Sequence, residues 1–175
     1  ELILAENILN DLERKTGTDY IEATPFDFNF DGHQEIELAN NRICAKFSPT
    51  QGGRLYELDL RSICHNLGAT LARRFEAYHE KVKLGANQGD QAECASIHDL
   101  VVFKQEGLDE RLQYDAWDRK SLIDQFYDEN VTLEQVMNQP HLQRGDFVDG
   151  HYDATIRRRE GRVQLLMQRD GNVLG

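Results

Sequence analysis

The chain has 175 residues, 39% of them hydrophobic, and its 20 basic side chains against 31 acidic ones leave a formal charge of −11. That length supports one respectable core with little room for a second independent domain, and the acidic excess excludes the basic stripe that tracks a phosphate backbone. No apolar run approaches the about 20 residues that span a bilayer, and no charged start followed by an apolar stretch marks a secretory signal, so a cytoplasmic protein without membrane or nucleic-acid partners is expected.

From Leu2 to Leu12 the apolar positions Leu4, Ile8, Leu9 and Leu12 recur at helical spacing, which predicts a short amphipathic helix packed on whatever precedes it in a longer parent. The chain opens without Met at Glu1 and stops at Gly175 directly after a strand-like run, and is read as a fragment. Period-two patterning takes over after Pro25. Ile36 and Leu38, then Ile43, Ala45 and Phe47, predict a hairpin turned at Ala39-Asn40-Asn41-Arg42. Gly52-Gly53 leads into a strand at Leu55–Leu60, and Ser62-Ile63-Cys64-His65 reads as a fourth strand.

Between about residues 69 and 140 the pattern turns helical and polar. Ile97, Leu100, Val101, Leu108 and Leu112 keep i, i+3, i+4 relations, as do Leu122, Ile123 and Phe126. Thr132 with Gln135 has the form of a capping box, and Pro140 closes the segment. Tyr152–Arg159 and Arg162–Arg169 read as a second hairpin turned at Glu160-Gly161, with the latter strand at a sheet edge. Cys44, Cys64 and Cys94 are odd in number and widely spaced, and are expected as buried free thiols.

Four pieces in fixed order carry a family resemblance: Asp27-Phe28-Asn29-Phe30-Asp31-Gly32-His33-Gln34-Glu35-Ile36, then Gly52-Gly53-Arg54-Leu55-Tyr56-Glu57-Leu58-Asp59, then Arg73-Arg74-Phe75-Glu76-Ala77-Tyr78-His79 with Ser96-Ile97-His98-Asp99, and last Arg119–Phe126 with Gly145-Asp146-Phe147. Together they resemble the accessory domain that follows the catalytic barrel in family 57 glycoside hydrolases, the α-amylase and 4-α-glucanotransferase group. The resemblance implies a mainly β fold: an antiparallel β-sandwich of the galactose-mutarotase-like kind, incomplete here, with an N-terminal helix and a helical or loop insertion. Residues 1–16 then end the preceding helical region and residues 26–175 form the first part of the sandwich. The resemblance also implies a parent that acts on α-1,4-glucan or maltooligosaccharide with retention, a chemistry needing two carboxyl groups about 5 to 5.5 Å apart. Both lie on the barrel, upstream of this chain, so the chain itself is expected to be non-catalytic and partnered by that barrel; a homodimeric parent is compatible with this reading.

The sharpest local pattern is DxNxDG. Asp27, Asn29 and Asp31 alternate as oxygen donors, Gly32 permits the bend, His33 offers its carbonyl and Glu35 follows, a spacing suited to Ca2+; Leu38 at the twelfth position rules out the EF-hand form, and a solvated acidic turn is the competing reading. Ser96, His98 and Asp99 hold the side chains of a nucleophilic triad but lie within four positions, too close to aim at one another in series. Arg73, Arg74, Glu76, Tyr78 and His79, with His98 and Asp99, are candidates for interdomain or sugar contact, and Trp117 could stack on a sugar ring, although core packing suits that tryptophan as well. A freestanding epimerase of the mutarotase type, using His and Glu as acid and base, is the competing class. No phosphate loop, GxSxG elbow or HExxH pattern is present.

Overall fold

The computed structural model of the chain describes residues 1–14, 19–80, 107 and 111–173. The chain divides into two compact units, residues 1–70 with 120–175, and residues 71–119. The larger unit contains helix α1 (Leu2–Arg14), strands β1 (Ile21–Phe26), β2 (Glu35–Asn40), β3 (Ile43–Ser48), β4 (Arg54–Leu60) and β5 (His65–Asn66), helix α2 (Leu133–Asn138), and strands β6 (Asp153–Arg159) and β7 (Arg162–Gln168). Strands β1 to β5 form an antiparallel meander in chain order, and β6 with β7 form a separate two-stranded ribbon. The mainly β, antiparallel class expected from the sequence is the class the chain has.

Strand β1 is not legible in the alternation because Pro25 sits inside it. Proline cannot donate to a ladder, and β1 tolerates it by lying at the sheet edge, paired among the described residues only with β2. The β2–β3 hairpin turns where expected, and Asn40 fixes it: its Oδ1 accepts from the N–H groups of Arg42 and Ile43, both at 2.8 Å. The expected fourth strand at Ser62–His65 is instead a 3-10 turn over Arg61–Ile63, ended by Cys64 in the left-handed region (φ 49°), so only His65 and Asn66 pair with β4. The helical reading of Leu122, Ile123 and Phe126 also fails. Leu122 has φ 63°, which a helix interior does not accept, Ser121 bridges to Leu55 and Phe126 bridges to Arg144. The capping box at α2 is present in full, with Thr132 Oγ1 accepting from Gln135 N and Gln135 Oε1 accepting from Thr132 N. The helical spacing from Ile97 to Leu108 lies outside the described residues, apart from Gly107, and Leu112 at its end is not in a helix.

The register gives the meander two unlike faces. Leu38, Ala45 and Leu58 lie across from one another on one face, with Ile36 opposite Phe47 beside them. On the other, Glu37 faces Lys46, Lys46 faces Glu57, and Cys44 faces Asp59. The ladder slips between Lys46 and Phe47, so that Tyr56 is passed over and β4 bends.

The turn at Gly52-Gly53 (φ 75° and 64°) packs against the approach to β6: Gly52 N donates to Gly150 O at 2.9 Å and Tyr152 N donates to Pro49 O at 2.8 Å. Buried Tyr152 donates its hydroxyl to Asp124 Oδ2 at 2.6 Å. Lys120 ties the following segment to the meander through the carbonyls of Tyr56 and Gly68, at 3.1 and 3.3 Å.

Helix α1 meets the sheet with its polar side. Asn7 Nδ2 donates to the carbonyl of Arg61 at 2.9 Å, and Arg61 Nη1 donates to Asn7 Oδ1 at 3.0 Å. The predicted apolar stripe of α1 faces the other way, with Leu4, Ile8, Leu9 and Leu12 all exposed.

Candidate functional site

The loop from Asp27 to Gln34 joins β1 to β2 and winds its polar side chains inward. Asp31 N–H donates to Asp27 Oδ1 (3.1 Å) and Asn29 Oδ1 (3.0 Å), Gly32 N–H to Asp27 Oδ2 (2.9 Å), and His33 N–H to Asp31 Oδ1 (2.8 Å). Asn29 Nδ2 donates to the other Asp31 oxygen at 3.0 Å. The His33 N–H bond leads the interactions that hold the Asp31 carboxyl below its ordinary range. Positive φ at Phe30 (61°) and Gly32 (85°) lets consecutive N–H groups converge on these oxygens.

Glu35 stands apart from that inner ring. Its side chain is fully buried; Oε2 accepts from Phe28 N–H at 2.9 Å, and Oε1 has no partner. Among the described residues no three His, Cys, Asp or Glu side chains come together as a metal cage. Asp27, Asn29 and Asp31 are therefore brought into one ring, whereas Glu35 organises the loop's backbone.

Phe28 folds back over the charged face of the sheet. Its ring lies 5.7 Å from that of Phe26 and 5.8 Å from that of Tyr56, and Lys46 Nζ sits 3.9 Å from its centroid. Lys46, 2% exposed, also pairs with Glu57 Oε1 at 3.2 Å. Asp59 has no exposed surface and neither of its oxygens has a hydrogen-bond partner. Desolvation first, then Glu57 beside it, pushes its carboxyl up to about 7. Buried Cys44 follows the same rule: desolvation, with Glu37 close by, raises its thiol to about 12. This buried charged ladder escapes a reading tuned to apolar alternation, yet its signal is in the sequence: Glu35 and Glu37, Cys44 and Lys46, and Glu57 and Asp59 each occupy alternate positions.

In the smaller unit, His79 is 9% exposed and sits in an aromatic nest. Ring centroids of Tyr78, Tyr114 and Phe75 lie 4.3, 5.6 and 6.1 Å from it. His79 Nδ1 accepts from Glu76 N–H at 3.2 Å and lies 3.2 Å from the Tyr114 hydroxyl. Arg73 and Arg119 both clamp Asp115: Arg73 through its backbone N–H (2.7 Å), Nε (2.9 Å) and Nη2 (2.7 Å), Arg119 through Nε (2.8 Å) and Nη2 (3.0 Å). Arg119 foremost, with Arg73, holds that carboxyl far below the usual carboxylate range. Arg74 pairs with Glu76 at 3.1 Å in a more exposed position. Trp117 lies half-buried in a bend. His98 and Asp99, like Ser96 and Cys94, lie outside the described residues.

The family model for the C-terminal domain of alpha-amylase/4-alpha-glucanotransferase matches residues 27–175, and the chain belongs to that family. It is 31% identical to a 4-alpha-glucanotransferase of Thermococcus kodakarensis over 147 residues, covering 84% of this chain and 22% of that protein. It is 32% identical to alpha-amylase 1 of Dictyoglomus thermophilum over 165 residues, 94% of this chain and 23% of that protein. The crystal structure of the 4-alpha-glucanotransferase of Thermococcus litoralis superposes on 99% of this chain with a TM-score of 0.72 at 26% identity, again using 23% of that chain. The chain thus spans less than a quarter of the length of these relatives. Among the described residues no helix is long and apolar enough to cross a membrane.

Proposed function

We propose that this chain is a non-catalytic accessory domain of a family 57 enzyme acting on α-1,4-glucans, an α-amylase or 4-α-glucanotransferase, where a galactose-mutarotase-like sandwich supports the catalytic barrel. The observation that carries this reading is the match to the C-terminal domain over residues 27–175, beside relatives of which the matched region makes up less than a quarter. Three carboxylates tied into structural pairs are in keeping with it: Asp115 is clamped by two arginines, Asp146 pairs with Arg169 at 2.5 Å, and Asp124 accepts from Tyr152. His79 has its Nδ1 held between the Glu76 N–H and the Tyr114 hydroxyl, which favours a packing role for that ring. The purified chain should neither turn over maltooligosaccharides nor speed the interconversion of aldose anomers above its spontaneous rate, while a complete chain carrying it turns over maltooligosaccharide. Turnover by the purified chain above a blank overturns the proposal. Contact with the glucan falls to Phe75 and Tyr78, 51% and 62% exposed, beside Arg74 and Glu76; Tyr78→Ala in the complete enzyme should raise KM more than it lowers kcat.

We also propose calcium as a ligand of the Asp27, Asn29 and Asp31 ring, with the His33 carbonyl as a further oxygen donor. The inward turn of all three side chains and the tight reversal at Gly32 support it. Calcium should raise the melting temperature, Asp31→Ala should abolish that rise, and magnesium should substitute poorly. Absence of binding by calorimetry at millimolar calcium ends the proposal.

A further inference from the structure

Helix α1 is amphipathic and sits the wrong way round for a helix that belongs only to this domain. A surface helix ordinarily turns its apolar stripe to the core. Here the sheet side holds Asn7, in reciprocal hydrogen bonds with Arg61, and Glu6, which contributes to the field around Asp59. Leu4, Ile8, Leu9 and Leu12 point outward at 51, 53, 58 and 76% exposure, joined at the helix start by Leu2 at 83%. Positions 4, 8 and 12 stack on one line of the helix, with Leu9 beside them.

We infer that this stripe is the docking surface for an apolar face of the catalytic part of the same polypeptide. The inference rests on the accessory-domain reading above. Three observations favour a tethered occupant over others. The relatives carry more than three quarters of their length outside the region matched here, so a large covalently joined body is at hand. A 13-residue helix, about 20 Å long, offers one side of an interface well below the about 800 Å² per partner that a stable association of separate chains needs, whereas a tethered surface meets it at high effective concentration. The first fifteen residues carry Glu1, Glu6, Asp11 and Glu13 against Arg14 and Lys15, a balance that opposes both an anionic lipid surface and self-pairing of two identical helices.

The test compares hydrogen exchange of α1 in the 175-residue chain and in a complete enzyme chain that carries it. The α1 amides should exchange more than about tenfold more slowly in the complete chain. The double variant Ile8→Gln/Leu12→Gln, which keeps helix propensity, should remove that protection and lower the melting temperature of the complete chain while leaving the 175-residue chain unchanged. Equal protection in both chains, or equal destabilisation of both by the variant, overturns the inference. So does sedimentation of the 175-residue chain as a dimer that the variant dissociates, or its binding to phosphatidylcholine vesicles. Maltooligosaccharide turnover by the same complete chain separates the two claims: protection without turnover sinks the glucan reading and leaves the docking surface, and turnover without protection does the reverse.

Discussion

Asp59 is a carboxyl in a place where charge is costly, surrounded by Glu57 and Lys46 from the sheet, Cys44 across the ladder and Glu6 from α1. Its folded pKa of about 7 lies above the ordinary 3.8, so between those values the folded chain holds a proton that the unfolded chain has lost. The stabilising contribution is complete below the unfolded value and disappears as pH rises through about 7. The melting temperature of the chain should therefore fall between pH 5 and pH 8. Asp59→Asn should flatten that slope and raise the melting temperature at pH 8; a wild-type profile already flat over this interval contradicts the assignment. Asp115 has the opposite sign, since its two arginines favour the charged form: its contribution holds at neutral pH and is lost only in acid, below the ordinary carboxylate range.

At the scale of elements, the turn between β3 and β4 shows how close packing selects residues. A Cβ on Gly52 lies 2.0 Å from the carbonyl oxygen of Val148, whereas one on Gly161, in the β6–β7 turn, meets nothing within 4 Å. Both glycines have positive φ, so alanine is strained at each, but only Gly52→Ala must also displace a neighbouring backbone. Gly161→Ala should cost about 1 kcal/mol and Gly52→Ala about 2 kcal/mol or more, read from urea unfolding midpoints. The same elements explain what a sequence reading reaches. The hairpins at Asn40–Ile43 and Glu160-Gly161 are legible because turn chemistry and alternation coincide, and the box at Thr132 and Gln135 because it is a local rule. Strand β1 is hidden by Pro25, which only its edge position excuses, and the run after Lys120 imitates a helix although Ser121 and Leu122 answer to a bridge with Leu55. Of the candidate site, the inward ring of the Asp27 loop follows from spacing, but the separation of Glu35 from it depends on how Phe28 folds over Lys46, which no local pattern encodes.

For the molecule as a whole, the ribbon of β6 and β7 is the least finished part. Each strand is paired on one side only among the described residues, and no residue of either strand is fully buried. Two open edges invite pairing with other chains, although Arg157, Arg159 and Arg162 around the turn supply charge that opposes it. The 175-residue chain should accordingly self-associate at raised concentration and salt, with light scattering as the readout, and Val163→Lys on β7 should suppress it; a scattering signal unchanged by salt and by the variant points to a different surface.

The seclusion of Cys44 supplies a built-in stopwatch. Its thiol is 1% exposed and raised to about 12, while Cys64 is partly accessible. Of these two, a disulfide reagent at neutral pH therefore reaches Cys64 before Cys44. It modifies Cys44 only during moments when β3 parts from β2 or β4, so the labelling of Cys44, followed by peptide mapping, clocks how often the centre of the meander opens.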